Sequence, residues 1–270
     1  MFKNLLIDNK KINFLEEKNY YIFEIKDFLT NEQYEALYDN FPVASKDEAK
    51  RFNKDFSESN NPKKNRFSIS EMYPELYNKT LSNNQILKDF DETIKDPQFT
   101  KLIYKNLYYK ILRSRIKDIK YFSKLLFQIN EPNKKNKNFI DKLFYNKIHT
   151  TMDFTTFYND SKLIPHTDGR KKILSLLLYF PDDNFSTEQI NTLGTTFYKS
   201  NINNLNNIHI DNPQKEKEFK KNNEKILTLP FKKRNLYGFI KSHNSWHTVE
   251  PINYNNDFIR KNININLLLV

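Results

Sequence analysis

The sequence predicts an α+β fold, with helices and one strand in the N-terminal half and an antiparallel sandwich or small barrel in the C-terminal half. Three observations point there. Between residues 82 and 127 apolar side chains recur at helical spacing. After residue 145 the pattern changes to short β-type runs separated by turn residues. The chain also carries 23 Phe, 16 Tyr and 1 Trp in 270 residues, enough large apolar surface for a core although only 38% of residues are hydrophobic. The length suits one domain, 1–270, in which 1–140 supports a β core at 145–270.

Taken in order, residues 20–26 are rich in β-formers and predict a strand. Thr30 and Gln33 then match a capping box, and Tyr34, Leu37, Tyr38 and Phe41 share one helical face until Pro42 ends it. Residues 45–65 are polar and lysine-rich and read as a surface loop. Ile86, Leu87, Phe90 and Ile94 make one helical stripe. Leu102, Ile103, Leu107, Ile111 and Leu112 make another beyond Pro97, and both need a sheet or helix to cover. Residues 130–138 form a Pro/Asn/Lys linker. The β-type runs follow at 149–158, 173–180, 195–198, 236–240 and 258–270. The polar stretch 201–225 is too long for a hairpin turn and is expected to be a lid or mobile insertion.

Composition removes several chemistries. With only 3 glycines, Gly169, Gly194 and Gly238, the chain has no GxGxxG and no P-loop. Without Cys it has no disulfide, thiolate zinc site, iron–sulfur cluster or cysteine nucleophile. A metal site must therefore use His, Asp and Glu. No apolar run approaches the roughly 18 residues of a membrane span, and Asp8 interrupts the start where a signal peptide would stay apolar. A cytoplasmic protein with no membrane partner is expected. The net charge of +11 invites a nucleic-acid reading. Only 7 of the 44 basic residues are Arg, however, and the lysines are spread among Asn and Glu rather than among regularly placed aromatics. That pattern looks like compositional drift, so a nucleic-acid partner is not expected.

The informative segment is Pro165-His166-Thr167-Asp168-Gly169. On a strand His166 and Asp168 point to one side, so an imidazole and a carboxylate converge. His247, 79 residues after Asp168 and just beyond a β-type run, is the best third ligand. Two His and one carboxylate occupy one face of an octahedral metal and leave positions open, the set that suits Fe(II) oxygen chemistry. Thirteen residues later, Arg260 begins a run in which Arg260, Asn262, Asn264 and Asn266 share one face, opposite Ile263, Ile265 and Leu267. A polar face that opens on a scarce Arg can line a pocket, and a guanidinium fork can hold a carboxylate.

His166-Thr-Asp168, the apolar strand 175–180, Gly194-Thr-Thr-Phe-Tyr198, the segment Lys241 to Val249 and Arg260-Lys-Asn-Ile-Asn264 together resemble the Fe(II)/2-oxoglutarate-dependent dioxygenases, especially their prolyl-4-hydroxylase-like branch. The resemblance covers roughly 150–270, and more weakly the strand–Asp27-Phe28-Leu29–helix opening. It implies a double-stranded β-helix (jelly-roll) core covered by the N-terminal helices. It also implies iron on His166, Asp168 and His247, 2-oxoglutarate held by Arg260 and contacted by Tyr158, and O2 as co-reactant. Hydroxylation with release of succinate and CO2 would follow, on a small-molecule, glycan or peptide substrate.

Plainer readings of the same residues stay open at this point. His166 and Asp168 could be a surface pair, His247 a packed core histidine, Arg260 a surface cation and Tyr158 a core aromatic. His243 could replace His247 if its segment were helical, although the flanking β pattern argues against that. His149 and His209 have no partner at useful spacing and read as structural or solvated. The alternative function is a non-catalytic β-sandwich binding anionic ligands or polymers. A hydrolase with another metal would lack an obvious general base near His166.

Overall fold

Local sequence chemistry fixes the first elements of the computed structural model, which describes residues 1–2, 5, 11–52, 66–126, 148–158, 161–182, 185–202, 208–210, 212–251 and 259–269. Strands β1 (Ile12–Glu16) and β2 (Ile22–Ile25) lead to helix α1 (Asn31–Asp39). Thr30 caps α1 as expected: its hydroxyl accepts from the Gln33 N–H at 3.2 Å, and the Gln33 side chain accepts from the Thr30 N–H at 3.0 Å. A second box corrects the loop expected from residue 45. Ser45 and Glu48 cap each other in the same reciprocal way, both bonds at 3.1 Å, and open α2 (Lys46–Phe52). The rest of that expected loop and the 130–138 linker lie outside the described residues.

After β3 (Arg66–Ile69) come α3 (Pro74–Ser82), α4 (Gln85–Lys95), α5 (Pro97–Ser114) and α6 (Ile119–Leu126). Pro97, read as a break, occupies the first helical position of α5, where its missing N–H costs no bond. The expected stripes are the buried ones: Leu87, Phe90 and Ile94 on α4, and Ile103, Leu107, Ile111 and Leu112 on α5.

The remaining strands are β4 (Ile148–Phe157), β5 (Leu163–Thr167), β6 (Lys172–Phe180), β7 (Thr195–Lys199), β8 (Ile208–His209), β9 (Glu224–Thr228), β10 (Leu236–Ile240), β11 (Trp246–Val249) and β12 (Arg260–Leu269). Helix α7 (Thr187–Thr192) precedes β7, and α8 (Pro213–Asn222) separates β8 from β9. All pairings are antiparallel. They make a seven-stranded sheet, β1-β2-β10-β6-β12-β4-β3, and a five-stranded sheet, β8-β5-β11-β7-β9.

Alternation along the strands sorts side chains into layers. On β12, Ile263, Ile265 and Leu267 join Met152, Phe154, Leu176 and Leu178 in a core shared with the helices. The opposite face of the large sheet meets the small one through Leu177, Tyr179, Tyr237 and Phe239 against Phe197 and Val249. A third cluster lies under α8. Phe219 packs 4.9 Å from the buried Trp246, whose indole N–H donates to the Ile202 carbonyl at 2.9 Å. Ion pairs Lys162–Glu216 (2.6 Å) and Lys220–Glu250 (2.7 Å) fasten that helix. The 201–225 stretch is thus not simply a loop, because Phe219 gives it an anchor on the small sheet. Among the described residues, no helix is long and apolar enough to cross a membrane.

Candidate metal centre and adjoining cavity

Strands β5 and β11 build the site. Their ladder sets His247 directly opposite His166, and Asp168 follows one residue beyond the end of β5. Alternation turns Trp246 outward beneath α8 and His247 inward. His166, Asp168 and His247 are all buried, and one potential ligand atom from each lies within 4.8 Å of the others.

The second nitrogen of each imidazole fixes the first. His166 Nδ1 lies 2.9 Å from the Ile164 carbonyl oxygen and His247 Nδ1 lies 3.0 Å from that of Ser245. A carbonyl only accepts, so Nδ1 carries the proton in both rings and each Nε2 keeps its lone pair. Burial holds both histidines below their ordinary pKa, toward the neutral form a metal requires. Asp168 is buried too, and burial alone would raise its pKa. The Lys172 ammonium, 2.8 Å from Oδ1, outweighs this and keeps it well below the usual carboxylate range. Its Oδ2 has no hydrogen-bond partner among the described residues and sits 3.9 Å from His247 Nε2. Two lone pairs and an orphaned carboxylate oxygen therefore face one point. This donor set fits a divalent transition metal with positions left open.

A cavity of about 450 Å³ opens beside the trio. At one end lies Arg260, 1% exposed and paired in register with Phe157 of β4. Its guanidinium is caged by Phe157, Tyr179 and Phe231, with ring centroids at 4.7, 5.4 and 5.5 Å. Among the described residues Nε and one terminal nitrogen have no hydrogen-bond partner, and burial pulls its pKa down to about 10. A buried cation with unmet donors is costly unless an anion completes it. The polar face expected on this strand lines the same cavity through Asn262, Asn264 and Asn266. Tethers hold the row together: Asn262 donates to Asn264 (2.8 Å), Asn264 to Thr155 (3.1 Å) and Asn266 to Asp153 (3.3 Å).

Of the residues singled out in the sequence, the structure brings His166, Asp168, His247 and Arg260 to the cavity but not Tyr158. Tyr158 packs with the helix-facing core, and its hydroxyl donates to the Ala44 carbonyl at 2.9 Å. It follows the parity of Met152 and Phe154, away from the site. His209, read as structural or solvated, is exposed and yet borders the site. Strand β8 pairs with β5 opposite His166, and the two imidazoles stack 5.1 Å apart and nearly parallel. His149 lies 3.3 Å from Glu71, and His243 occupies the turn before β11, outside the trio. Three charged cavity residues escaped the sequence reading: Lys172, Asp153 and Arg66.

No family model and no curated protein matches the chain. Among solved structures, it is similar to a Pseudomonas putida prolyl-4-hydroxylase (12% identity, 44% of this chain and 49% of that one, TM-score 0.27). It is also similar to SnoK, a non-heme alpha ketoglutarate dependent carbocyclase from nogalamycin biosynthesis (8% identity, 93% and 80% coverage, TM-score 0.44). A third likeness is to a 2OG-Fe(II) oxygenase family oxidoreductase from Burkholderia pseudomallei (11% identity, 53% and 56% coverage, TM-score 0.26). The matches span about half the length of the Pseudomonas and Burkholderia proteins. With TM-scores this low none of the three bears on function; the side chains of the site do.

Proposed function

We propose that the protein is an Fe(II)- and 2-oxoglutarate-dependent oxygenase that hydroxylates a small polar substrate. One observation carries this: a buried His–Asp–His trio with free ligand atoms shares a cavity with a buried guanidinium, two of whose nitrogens have no hydrogen-bond partner among the described residues. His166, Asp168 and His247 would hold the iron. Arg260 would bind the distal carboxylate of 2-oxoglutarate through its unmet N–H donors, leaving the keto-acid end toward the trio. The aromatic cage keeps water from the guanidinium and so strengthens that contact. The backbone carbonyls of Ile164 and Ser245 hold both imidazoles in the ligating tautomer, and Lys172 holds the Asp168 carboxylate ionised with Oδ2 free.

When bound, iron supplies the redox chemistry. One oxygen atom of O2 enters a substrate C–H bond and the other enters succinate, while carbon 1 of 2-oxoglutarate leaves as CO2. Reading the sheets as a double-stranded β-helix is supported by their strand orders, β10-β6-β12-β4 facing β5-β11-β7-β9. The motif order and the strand–helix opening favour the prolyl-4-hydroxylase-like branch.

The test is anaerobic addition of Fe(II) and 2-oxoglutarate. A weak visible charge-transfer band from the bidentate complex is the expected result, lost in His166→Ala and in Asp168→Ala. No band in the wild type, or a band surviving both substitutions, overturns the assignment.

A further inference from the structure

The β5–β11 ladder fixes His166 and His247, whereas Asp168 lies where the ladders stop. Pairing of β5 ends at Thr167, and pairing of β6 begins at Lys172. The turn between them is closed by the Lys172 N–H, which donates to the Gly169 carbonyl at 3.1 Å. A Cβ at Gly169 would meet nothing within 4 Å, so packing does not press on the turn there. What grips it is the corner between α5 and α6. Asp118, 2% exposed, accepts a fork of N–H groups from Arg170, Nε at 3.0 Å and a terminal nitrogen at 2.5 Å. Arg115, 1% exposed, donates to the Lys172 carbonyl and lies 3.7 Å from the Asp118 carboxylate. The Tyr121 ring of α6 lies against both guanidinia, 5.0 Å from Arg170 and 6.0 Å from Arg115. Two of the chain's seven Arg thus meet on one buried carboxylate. Arg115, Asp118 and Arg170 do not line the cavity, so any effect they have on the metal centre passes through the turn.

We infer that Asp118, Arg170 and Arg115 are positioning residues for the metal centre: the α5–α6 corner sets the direction of Asp168 by clamping the turn 169–172. The chain of contacts is short. Arg170 is two residues from Asp168. Lys172, whose carbonyl Arg115 holds, sets its ammonium 2.8 Å from Asp168 Oδ1. One clamp therefore fixes the backbone that carries the carboxylate and the cation that occupies one of its oxygens. Oδ2 is left on the side of the His247 Nε2. A carboxylate beyond the end of its strand keeps a ligating direction only where outer contacts supply it. Buried, forked ion pairs can do so, because they fix geometry as well as charge. The inference rests on the metal-centre reading and not on 2-oxoglutarate.

Zinc titration of the full chain against a chromophoric chelator tests it, read beside the metal-free Tm and the visible spectrum of the Co(II)-loaded protein. Arg170→Gln and Asp118→Asn should weaken zinc binding about 10- to 100-fold and change the Co(II) spectrum. Arg170→Lys, which keeps the charge, should bind zinc more tightly than Arg170→Gln. Arg234→Gln breaks a comparable pair, 2.5 Å from Asp27 on the turn before β10, and should keep zinc affinity within about threefold. Unchanged zinc affinity and Co(II) spectrum in Arg170→Gln overturn the inference even if Tm falls, because a merely structural brace would move Tm alone. Arg170→Lys no better than Arg170→Gln, or an equal loss in Arg234→Gln, overturns it too. Should Asp118→Asn fail to fold, Arg170→Gln decides, since that side chain is 38% exposed. A wild type that binds no zinc would overturn the metal-centre reading itself. A missing Fe(II)–2-oxoglutarate band would overturn only the oxygenase reading.

Discussion

Replacing Arg260 by Met should make the ligand-free protein more stable while crippling its affinity for 2-oxoglutarate. The guanidinium is buried, desolvation pulls its pKa from the ordinary guanidinium range down to about 10, and two of its nitrogens are unsatisfied among the described residues. At 1.36 kcal/mol per unit, that fall represents a penalty of about 3 kcal/mol on the folded state. The sign is fixed by linkage: a cation with a depressed folded pKa weighs on stability everywhere below that pKa, and relief begins only above about pH 10. At pH 7 the penalty is complete. Met fills similar volume and removes it, at the loss of cation–π contacts worth about 1 kcal/mol. A net gain of about 2 kcal/mol corresponds to a rise in Tm of roughly 4–8 °C for a chain of this size. The same substitution removes a charge-assisted pair of hydrogen bonds, about 3 kcal/mol or more, so 2-oxoglutarate affinity should fall about 100-fold or further. Calorimetry without ligand and titration of the charge-transfer band read the two effects separately. Arg260→Lys, which keeps charge but not the fork, should fall between. A variant with lower Tm and affinity within about fivefold of wild type would refute the reasoning.

Four more outcomes follow. Zn(II) at about 100 times its Kd should stabilise the wild type by about 3 kcal/mol in thermal denaturation, and neither His166→Ala nor His247→Ala should respond; equal shifts in all three would dismiss the trio as a metal site. Tyr158→Phe should leave 2-oxoglutarate binding unchanged, because its hydroxyl serves the Ala44 carbonyl, and a tenfold loss would restore Tyr158 to the site. Asp153 ionises in the unfolded chain near 3.8 but in the folded chain at about 6, so stability should fall as pH rises through that window; Asp153→Asn should flatten the fall and gain about 2 kcal/mol at pH 7, as acid-to-neutral urea titrations would show. Gly169→Ala meets nothing within 4 Å and should leave Tm unaltered, whereas a Cβ at Gly238 would lie 2.3 Å from Phe23 Cζ and should cost about 1–3 kcal/mol; similar losses at both positions would count against the packing described.

How far sequence reasoning reached depended on whether the signal was local. Periodicity found the α4 and α5 faces because burial there follows one helix, and the alternation of β12 marked Asn262, Asn264 and Asn266 because a strand has two sides. The Ser45–Glu48 box was equally local but sat in a polar stretch without an apolar stripe to announce a helix. Spacing misled at Tyr158, where distance along the chain to His166 says nothing about which face the ring takes. The parity of Met152 and Phe154 does. His209 and Arg66 were beyond reach for a different reason. Each is on a short strand, β8 or β3, whose place is set by pairing with a partner 40 or more residues away.

The direct pairing of His247 with His166 also has a kinetic meaning. The two residues stand 81 positions apart, and the large sheet closes through pairings as distant as Ile148 with Leu269. Loop closure over such spans makes these contacts slow and late. β11 and β12 are synthesised after every other strand, and they bring His247 and Arg260 with them. A nascent chain therefore presents His166 and Asp168 alone, two donors without the third and without the Arg260 guanidinium at the far end of the cavity. Any metal affinity that needs all three donors would arise only once β11 has been made and has paired with β5.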